Sequence, residues 1–186
     1  FDPVSVMATQ LTEIVRTYGA DLLGRQEVQA LIDTVRKAYP VVVKEALQEL
    51  TLGEVQKVLQ SLVQERVSIR DLVVILECLA DHVAVTKDPD LLTEFVRVRL
   101  CSAICQEYVN NEGTMNVLSI DPEMERTLQR AIGRDALGMQ LNLDPQVGHA
   151  ILQSLAKEIG LMQEKGLQPI VLTTPDVRPA LRRVTL

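Results

Sequence analysis

One local device recurs along this chain: an aspartate or threonine followed at once by proline, at Asp2-Pro3, Asp88-Pro89, Asp121-Pro122, Asp144-Pro145 and Thr174-Pro175. A side-chain oxygen at the N-cap accepts one of the N–H groups that a first helical turn leaves unpaired. Proline at the next position loses nothing by lacking its own N–H, and its φ is already helical. The five dipeptides therefore mark five helix starts. Two more are marked by capping boxes, Thr51-Leu52-Gly53-Glu54 and Ser68-Ile69-Arg70-Asp71, in which the fourth residue reaches back to the first. Punctuation of this kind commits most of the chain to helices.

The apolar residues between these marks recur at helical spacing. Val4, Met7, Leu11, Ile14 and Val15 form one stripe; Val28, Leu31, Ile32 and Val35 form a second that stops before Pro40. Leu52, Val55, Val58, Leu59, Leu62 and Val63 make a third. In SIRDLVVILECLAD, residues 68–81, the stripe Ile69, Leu72, Val73, Leu76, Leu79 and, just beyond, Val83 is widened by Val74 and Ile75. This segment is expected to be a central, mostly buried helix. A long pattern from Pro89 to about Tyr108 ends in the polar turn Asn110-Asn111-Glu112-Gly113.

Beyond that turn the period changes. Met115 to Ile120, Leu137 to Leu143 and Pro169 to Thr173 read as short strands, followed by capped helices over about 122–132, 145–165 and 175–184. Such alternation favours a parallel or mixed sheet with right-handed crossovers. The expected fold is mainly α, a helical subdomain followed by a small, incomplete α/β subdomain.

Composition narrows the functional classes. With no Trp, three Tyr and two Phe against 47% hydrophobic residues, the core must be aliphatic, and 186 residues suffice for one sizeable core or two small ones. A formal net charge of −6 argues against nucleic acid as a partner, because phosphate binding needs a clustered basic surface. The longest apolar run, Leu72 to Leu76, is far below the roughly 20 residues of a membrane span. An odd number of cysteines, Cys78, Cys101 and Cys105, suits free thiols in a reducing compartment. The opening at Phe1 without a signal-like stretch, and the stop at Leu186 within a helical pattern, read as an excised fragment.

No catalytic, cofactor-binding or metal constellation emerges. Cys101 and Cys105, at i and i+4, could clip a metal if Cys78 or His82 came close, but isolated helical cysteines are ordinarily small core hydrophobes. His82 and His149 stand far apart and offer little material for a nucleophile and base. Gly133 to Gly138 has the glycine spacing of a phosphate loop, yet Met139 and Gln140 stand where Lys and Ser/Thr would be needed; a helix-to-strand connection accounts for both glycines. Glu94, Asp121, Glu123 and Glu125 lie near helix starts, where the macrodipole favours them. Arg178, Arg182 and Arg183 read as a solvated helix face or else a partner-docking patch. The residues alone thus describe a non-enzymatic, helix-rich interaction or assembly module.

Four phrases carry a resemblance. LLGRQEVQ (22–29), LGEVQKVLQ (52–60), SIRDLVVILE (68–77) and TKDPDLLTEFVR (86–97) stand in the order and at the spacings of the cytoplasmic C-terminal region of the FlhA/FHIPEP family of type III (flagellar) export gates. Members of this family have a membrane domain followed by four cytoplasmic subdomains that form a ring, expected to be nonameric. The resemblance implies that residues 1–20 are the last helix of a truncated preceding subdomain, 21–110 a helical subdomain and 111–186 an incomplete α/β subdomain. It implies a place at the cytoplasmic face of the bacterial inner membrane, with export chaperone–substrate complexes, other export-apparatus proteins and further copies of the chain as partners, and no cofactor. Of the cleft that receives chaperone–substrate complexes, only Thr9 is implied here. A soluble helical adaptor and, behind it, a thiol- or metal-dependent enzyme using the three cysteines stand as the alternatives.

Overall fold

A computed structural model describes residues 2–135 and 138–185. Among the described residues it is mainly α, with ten helices and four short strands. The chain divides into two compact units, Phe1–Cys105 and Gln106–Leu186.

The first unit holds α1 (Pro3–Tyr18), α2 (Arg25–Ala38), α3 (Pro40–Glu49), α4 (Leu52–Gln64), α5 (Leu72–His82) and α6 (Pro89–Arg99). A short α7 (Cys101–Gln106) ends across the division. Asp2 and Asp88 cap α1 and α6 through their carboxylates, each with proline in the first turn. The capping box of α4 closes in both directions: the Glu54 N–H donates to the Thr51 hydroxyl at 3.3 Å, and the Thr51 N–H donates to the Glu54 carboxylate at 2.7 Å.

The second box does not form. Helix α5 begins at Leu72, four residues past Ser68, and its N-cap Asp71 makes no side-chain cap. Aspartate is one methylene shorter than the glutamate that closes such a box, and the Ser68 hydroxyl instead accepts the Arg70 N–H at 3.3 Å in a tight local turn. Pro40 also acts differently from the sequence reading. Besides stopping the second stripe it opens α3 at the first helical position, with Tyr39 as the hinge between α2 and α3.

Helix α5 is the buried centre, as its width of apolar surface demanded. Leu72, Ile75, Leu76, Cys78 and Leu79 are buried, and the helix packs against α3 and α6. Their contacts join Val28 and Ile32 of α2, Val43 and Ala46 of α3, Val55, Val58, Leu59 and Leu62 of α4, and Leu92 and Val96 of α6 in one core. At the rim, Arg97 of α6 bridges Glu65 at the end of α4 at 2.7 Å. There the chain reverses through Arg66, whose φ of 58° is left-handed, with the Val67 N–H donating back to the Leu62 carbonyl.

The second unit contains β1 (Leu118–Ser119), α8 (Pro122–Ala131), β2 (Ile132–Asp135), β3 (Gly138–Leu141), α9 (Pro145–Glu164), β4 (Val171–Leu172) and α10 (Arg178–Thr185). Asp121 and Asp144 cap α8 and α9 as expected. Thr174-Pro175 does not open a helix: the Thr174 carbonyl accepts the N–H groups of Val177 and Arg178 in a turn, and α10 starts only at Arg178.

The strands do not join one sheet. β1 and β4 pair in parallel, Leu118 opposite Val171, while β2 and β3 form a separate antiparallel hairpin, Ile132 opposite Leu141. The sequence reading placed residues 132–135 at a helix end and connection. They are a strand because α8 stops at Ala131, whose carbonyl accepts the Asn142 N–H at 2.8 Å and so seats the hairpin on the helix end. The expected strand 137–143 and the glycine-spaced run both include Leu137, and the latter Ala136; these two residues lie outside the described ones. A small core of Leu128, Ile151, Leu155, Val177 and Leu181 ties α8, α9 and α10 together.

Glu125 on α8 adds a polar tie. Its carboxylate accepts the Thr174 N–H at 2.9 Å and the Thr173 hydroxyl at 3.0 Å, just after β4. The backbone N–H of Thr174, then the two threonine side chains, holds this carboxyl below its ordinary value of 4.5. Glu54 is lowered likewise, first by the Thr51 N–H of its capping box. A carboxyl depressed in the folded state stabilises fully above its unfolded value and loses that contribution as pH falls through the folded one.

Two outcomes follow. Leu76→Ala, at a fully buried site, should cost about 2–5 kcal/mol, read from urea unfolding; a loss below 1 kcal/mol would remove α5 from the centre. Glu125→Gln should lower the thermal midpoint at neutral pH, with the gap to the parent shrinking as pH falls below the ordinary carboxyl value of 4.5; a gap independent of pH would deny the carboxylate its role.

Candidate docking surfaces

Helix α1 has two unlike faces. Val4, Met7, Leu11, Ile14 and Tyr18 follow one another at intervals of three and four, and all are exposed, Met7 to 73%. Intervals of that kind form a seam on one side of a helix. At 100° per residue Thr9 falls about 180° from the centre of the seam, on a face shared with Asp2, Ser5 and Thr12. The Thr9 hydroxyl donates to the Ser5 carbonyl at 2.9 Å, and that of Thr12 to the Ala8 carbonyl at 2.8 Å. Helix α1 meets α4 at its C-terminal end, where a Cβ on Gly19 would lie 2.6 Å from the Val15 carbonyl and 3.3 Å from a Val63 methyl. Thr9, the residue the family resemblance singles out, is therefore an exposed position on the polar face of an exposed helix.

The loop between α1 and α2 is held by amides. Gln56 and Gln60, one turn apart on α4, donate to the Leu23 carbonyl at 2.9 and 3.0 Å, and Gln60 also to the Ala20 carbonyl at 3.3 Å. Ala20 is buried and Leu23 half-buried, so Leu22 between them is turned outward, 63% exposed, next to the exposed Asp21. Arg25 turns the other way, its guanidinium 3.3 Å from where a Cβ on Gly53 would stand. At the far end of α2 an open cleft of about 670 Å³ runs between α2 and α3, lined by Arg36, Pro40, Val43, Lys44, Leu47 and Gln48. Arg36 is bridged to Asp33 at 2.6 Å.

The residues weighed for chemistry are scattered. Cys78 is buried, Cys101 exposed and Cys105 between the two. Among the described residues no group of three or more His, Cys, Asp or Glu is placed to hold a metal ion. Burial pushes the Cys78 thiol up, Arg99 working against this and Asp81 with it. His82 stacks on Phe95 with ring centroids 4.1 Å apart, its Nδ1 2.8 Å from the Cys78 carbonyl. His149 is exposed and pairs with Gln153 on its own helix. Glu94 is buried within α6 rather than at a helix start, whereas Asp121, Glu123 and Glu125 do lie there. The basic tail is only partly a solvated face: Arg183 donates to the Met139 carbonyl on β3, and burial lowers Arg182 from its ordinary range.

The profile of the FHIPEP family matches residues 1–186, the whole chain. The chain belongs to the FHIPEP family. Relatives include the flagellar biosynthesis protein FlhA of Treponema pallidum, 40% identical over 184 residues, and that of Bacillus subtilis, 35% identical over 184. These alignments cover 96% and 98% of the chain but 26% and 27% of the relatives, so the chain spans about a quarter of their length.

The FHIPEP fold is repeated in solved structures. CdsV of Chlamydia pneumoniae matches with a TM-score of 0.88 at 33% identity, over 99% of this chain and 53% of that one. CdsV in complex with CdsO gives 0.87 at 31%, over 99% and 54%. The nonameric SctV-C from EPEC gives 0.81 at 30%, over 96% and 53%. No described helix of this FHIPEP chain is long and apolar enough to cross a membrane.

The sequence singles out Thr9 by resemblance and gives no account of the loop that displays Leu22. The signal was present in LGEVQKVLQ, whose two glutamines stand at i and i+4 on one helical face. Replacing both Gln56 and Gln60 by Ala should speed hydrogen exchange of the amides of residues 20–24 at least tenfold while the α5 amides stay protected. Equal exchange in variant and parent would show that the amides do not hold the loop.

Proposed function

We propose that the chain is part of the cytoplasmic portion of a flagellar-type protein export gate, which assembles into a ring and receives chaperone–substrate complexes at the cytoplasmic face of the inner membrane. The observation that carries this reading is the match to flagellar FlhA proteins across nearly the whole chain. The ring is supported by the shared fold with the nonameric SctV-C, and contact with another protein by the complex of CdsV with CdsO. In this reading residues 1–20 close a preceding subdomain, residues 21–110 form the helical subdomain, and 111–186 belong to an α/β subdomain. The chain works by docking and carries out no chemistry of its own.

The two faces of α1 suit that role. An apolar seam lets a helix be held from one side, and the Thr9 face is then turned toward cargo. In the full-length cytoplasmic region, Thr9→Asp should weaken capture of a chaperone–substrate complex about tenfold, or 1.4 kcal/mol, by calorimetry, with Thr9→Ser close to the parent. Unchanged affinity in Thr9→Asp would remove this residue from the docking surface. Absence of any binding to the parent region would overturn the docking role itself.

A further inference from the structure

Two of the three cysteines have no place in the core. Cys78 is buried among the α5 side chains, whereas Cys101 is exposed and Cys105 half-buried. Cysteine is among the residues most often buried, so two accessible ones a helical turn apart call for a reason. Both stand on α7, and α7 is anchored by a neighbouring row of side chains. Leu100, just before it, is buried, Ile104 packs against the same core, and the Ile104 N–H donates to the Leu100 carbonyl at 3.0 Å. Positions 100 and 104 fix the roll of this turn. Positions 101 and 105 lie about 100° further round the axis and are carried to the rim, one thiol in the open and the other at its edge.

The spacing decides what such a pair can do. Cβ atoms one helical turn apart are separated by about 5–6 Å, and a disulfide needs about 3.5–4.5 Å. The two sulfurs therefore cannot bond to each other without unwinding α7, but the same gap suits one atom set between them. Zinc calls for a fuller ligand set, and among the described residues no group of three or more His, Cys, Asp or Glu is placed to hold a metal ion. Soft thiolates select cuprous copper, a cation that two of them satisfy in line. We infer that Cys101 and Cys105 form a two-thiolate site for a soft monovalent cation, with cuprous copper as the ion that fits. The ion displaces the two thiol protons to solvent and makes two copper–sulfur bonds. Its oxidation state does not change, so no oxidant or reductant takes part. Cys78 stays outside the site, buried with its sulfur 3.7 Å from His82 Nδ1. The site lies on the first unit alone and needs neither ring nor cargo, so it stands apart from the export reading.

Titration of the reduced 186-residue chain with cuprous ion, in competition with the chromogenic chelator bicinchoninate, tests the site, and native mass spectrometry counts the ions. One ion on each monomeric chain is expected. Cys101→Ser or Cys105→Ser should each weaken binding about a hundredfold, because a single thiolate has lost the chelate. No uptake by the parent, or parent-like affinity in either serine variant, overturns the site. One ion shared by two chains overturns it as well, since the ligands would then come from different copies.

Two rearranged chains separate a built pair from mere thiol content, using the exposed Ser102 and Ala103. Cys101→Ser with Ser102→Cys sets the thiols at i and i+3, on one side of the turn, and should keep the affinity within about tenfold of the parent. Cys105→Ser with Ala103→Cys sets them about 200° apart and should bind as weakly as a single serine variant. Equal affinity in the two rearranged chains overturns the inference. Far-ultraviolet circular dichroism confirms that each surface variant is folded before it is scored.

Discussion

The burial of α5 is the constraint around which α2, α3, α4 and α6 are arranged. Leu72, Ile75, Leu76, Cys78 and Leu79 are buried and Val73, Val74 and Ala80 half-buried, so helices must flank it, and α3 and α6 lie against it while α2 and α4 complete the core. Close packing makes such a centre unforgiving, because a side chain removed from it leaves a space its neighbours refill only in part. Polar ties then sit at the edge, where they select geometry: the Arg97–Glu65 bridge links α6 to α4, and Lys87 reaches the Glu49 carbonyl at the end of α3.

A rigid helical block of this sort can present surfaces without reshaping them. The Gln56 and Gln60 amides are fixed by α4, whose Val55, Val58 and Leu59 are core, so the loop they hold inherits the stability of the core. That is how a loop between two helices can carry an exposed leucine in one position. Helix α1 is the opposite case. It is fastened near Gly19 and carries an uncovered apolar seam along its length, with Thr9 on the opposite face. One unit thus contains a surface set by its own core and another that its core leaves uncovered.

Much of the helical unit was legible because its signals are local. All four Asp-Pro pairs became capped helix starts, since carboxylate, turn and proline lie within three residues and need nothing else. Ser68 and Thr174 carried the same kind of signal and did not, because each had a competing use for its polar groups: the Ser68 hydroxyl takes the Arg70 N–H, and the Thr174 N–H goes to Glu125, 49 residues away. Pro40 shows the limit of a signal with two meanings, since proline ends one helix as readily as it begins the next. The family resemblance singles out Thr9 and says nothing of the α2–α3 cleft or of Leu22, because which residues face outward there depends on the packing.

By itself the sequence determined that this protein is helical and aliphatic, where most helices begin, and that residues 68–81 supply the central one, because caps and apolar periodicity act over one or two turns. It also determined family membership, through four phrases in order. Only the tertiary structure decided that β2 turns back on β3 in its own hairpin while β1 and β4 pair elsewhere, that Glu125 is spent on the Thr173–Thr174 turn, and that two glutamines on α4 hold Leu22 outward. Those outcomes join residues tens of positions apart, and a hydrogen bond or strand pairing over that separation is chosen by the packed geometry of the whole unit, which no short window of sequence contains.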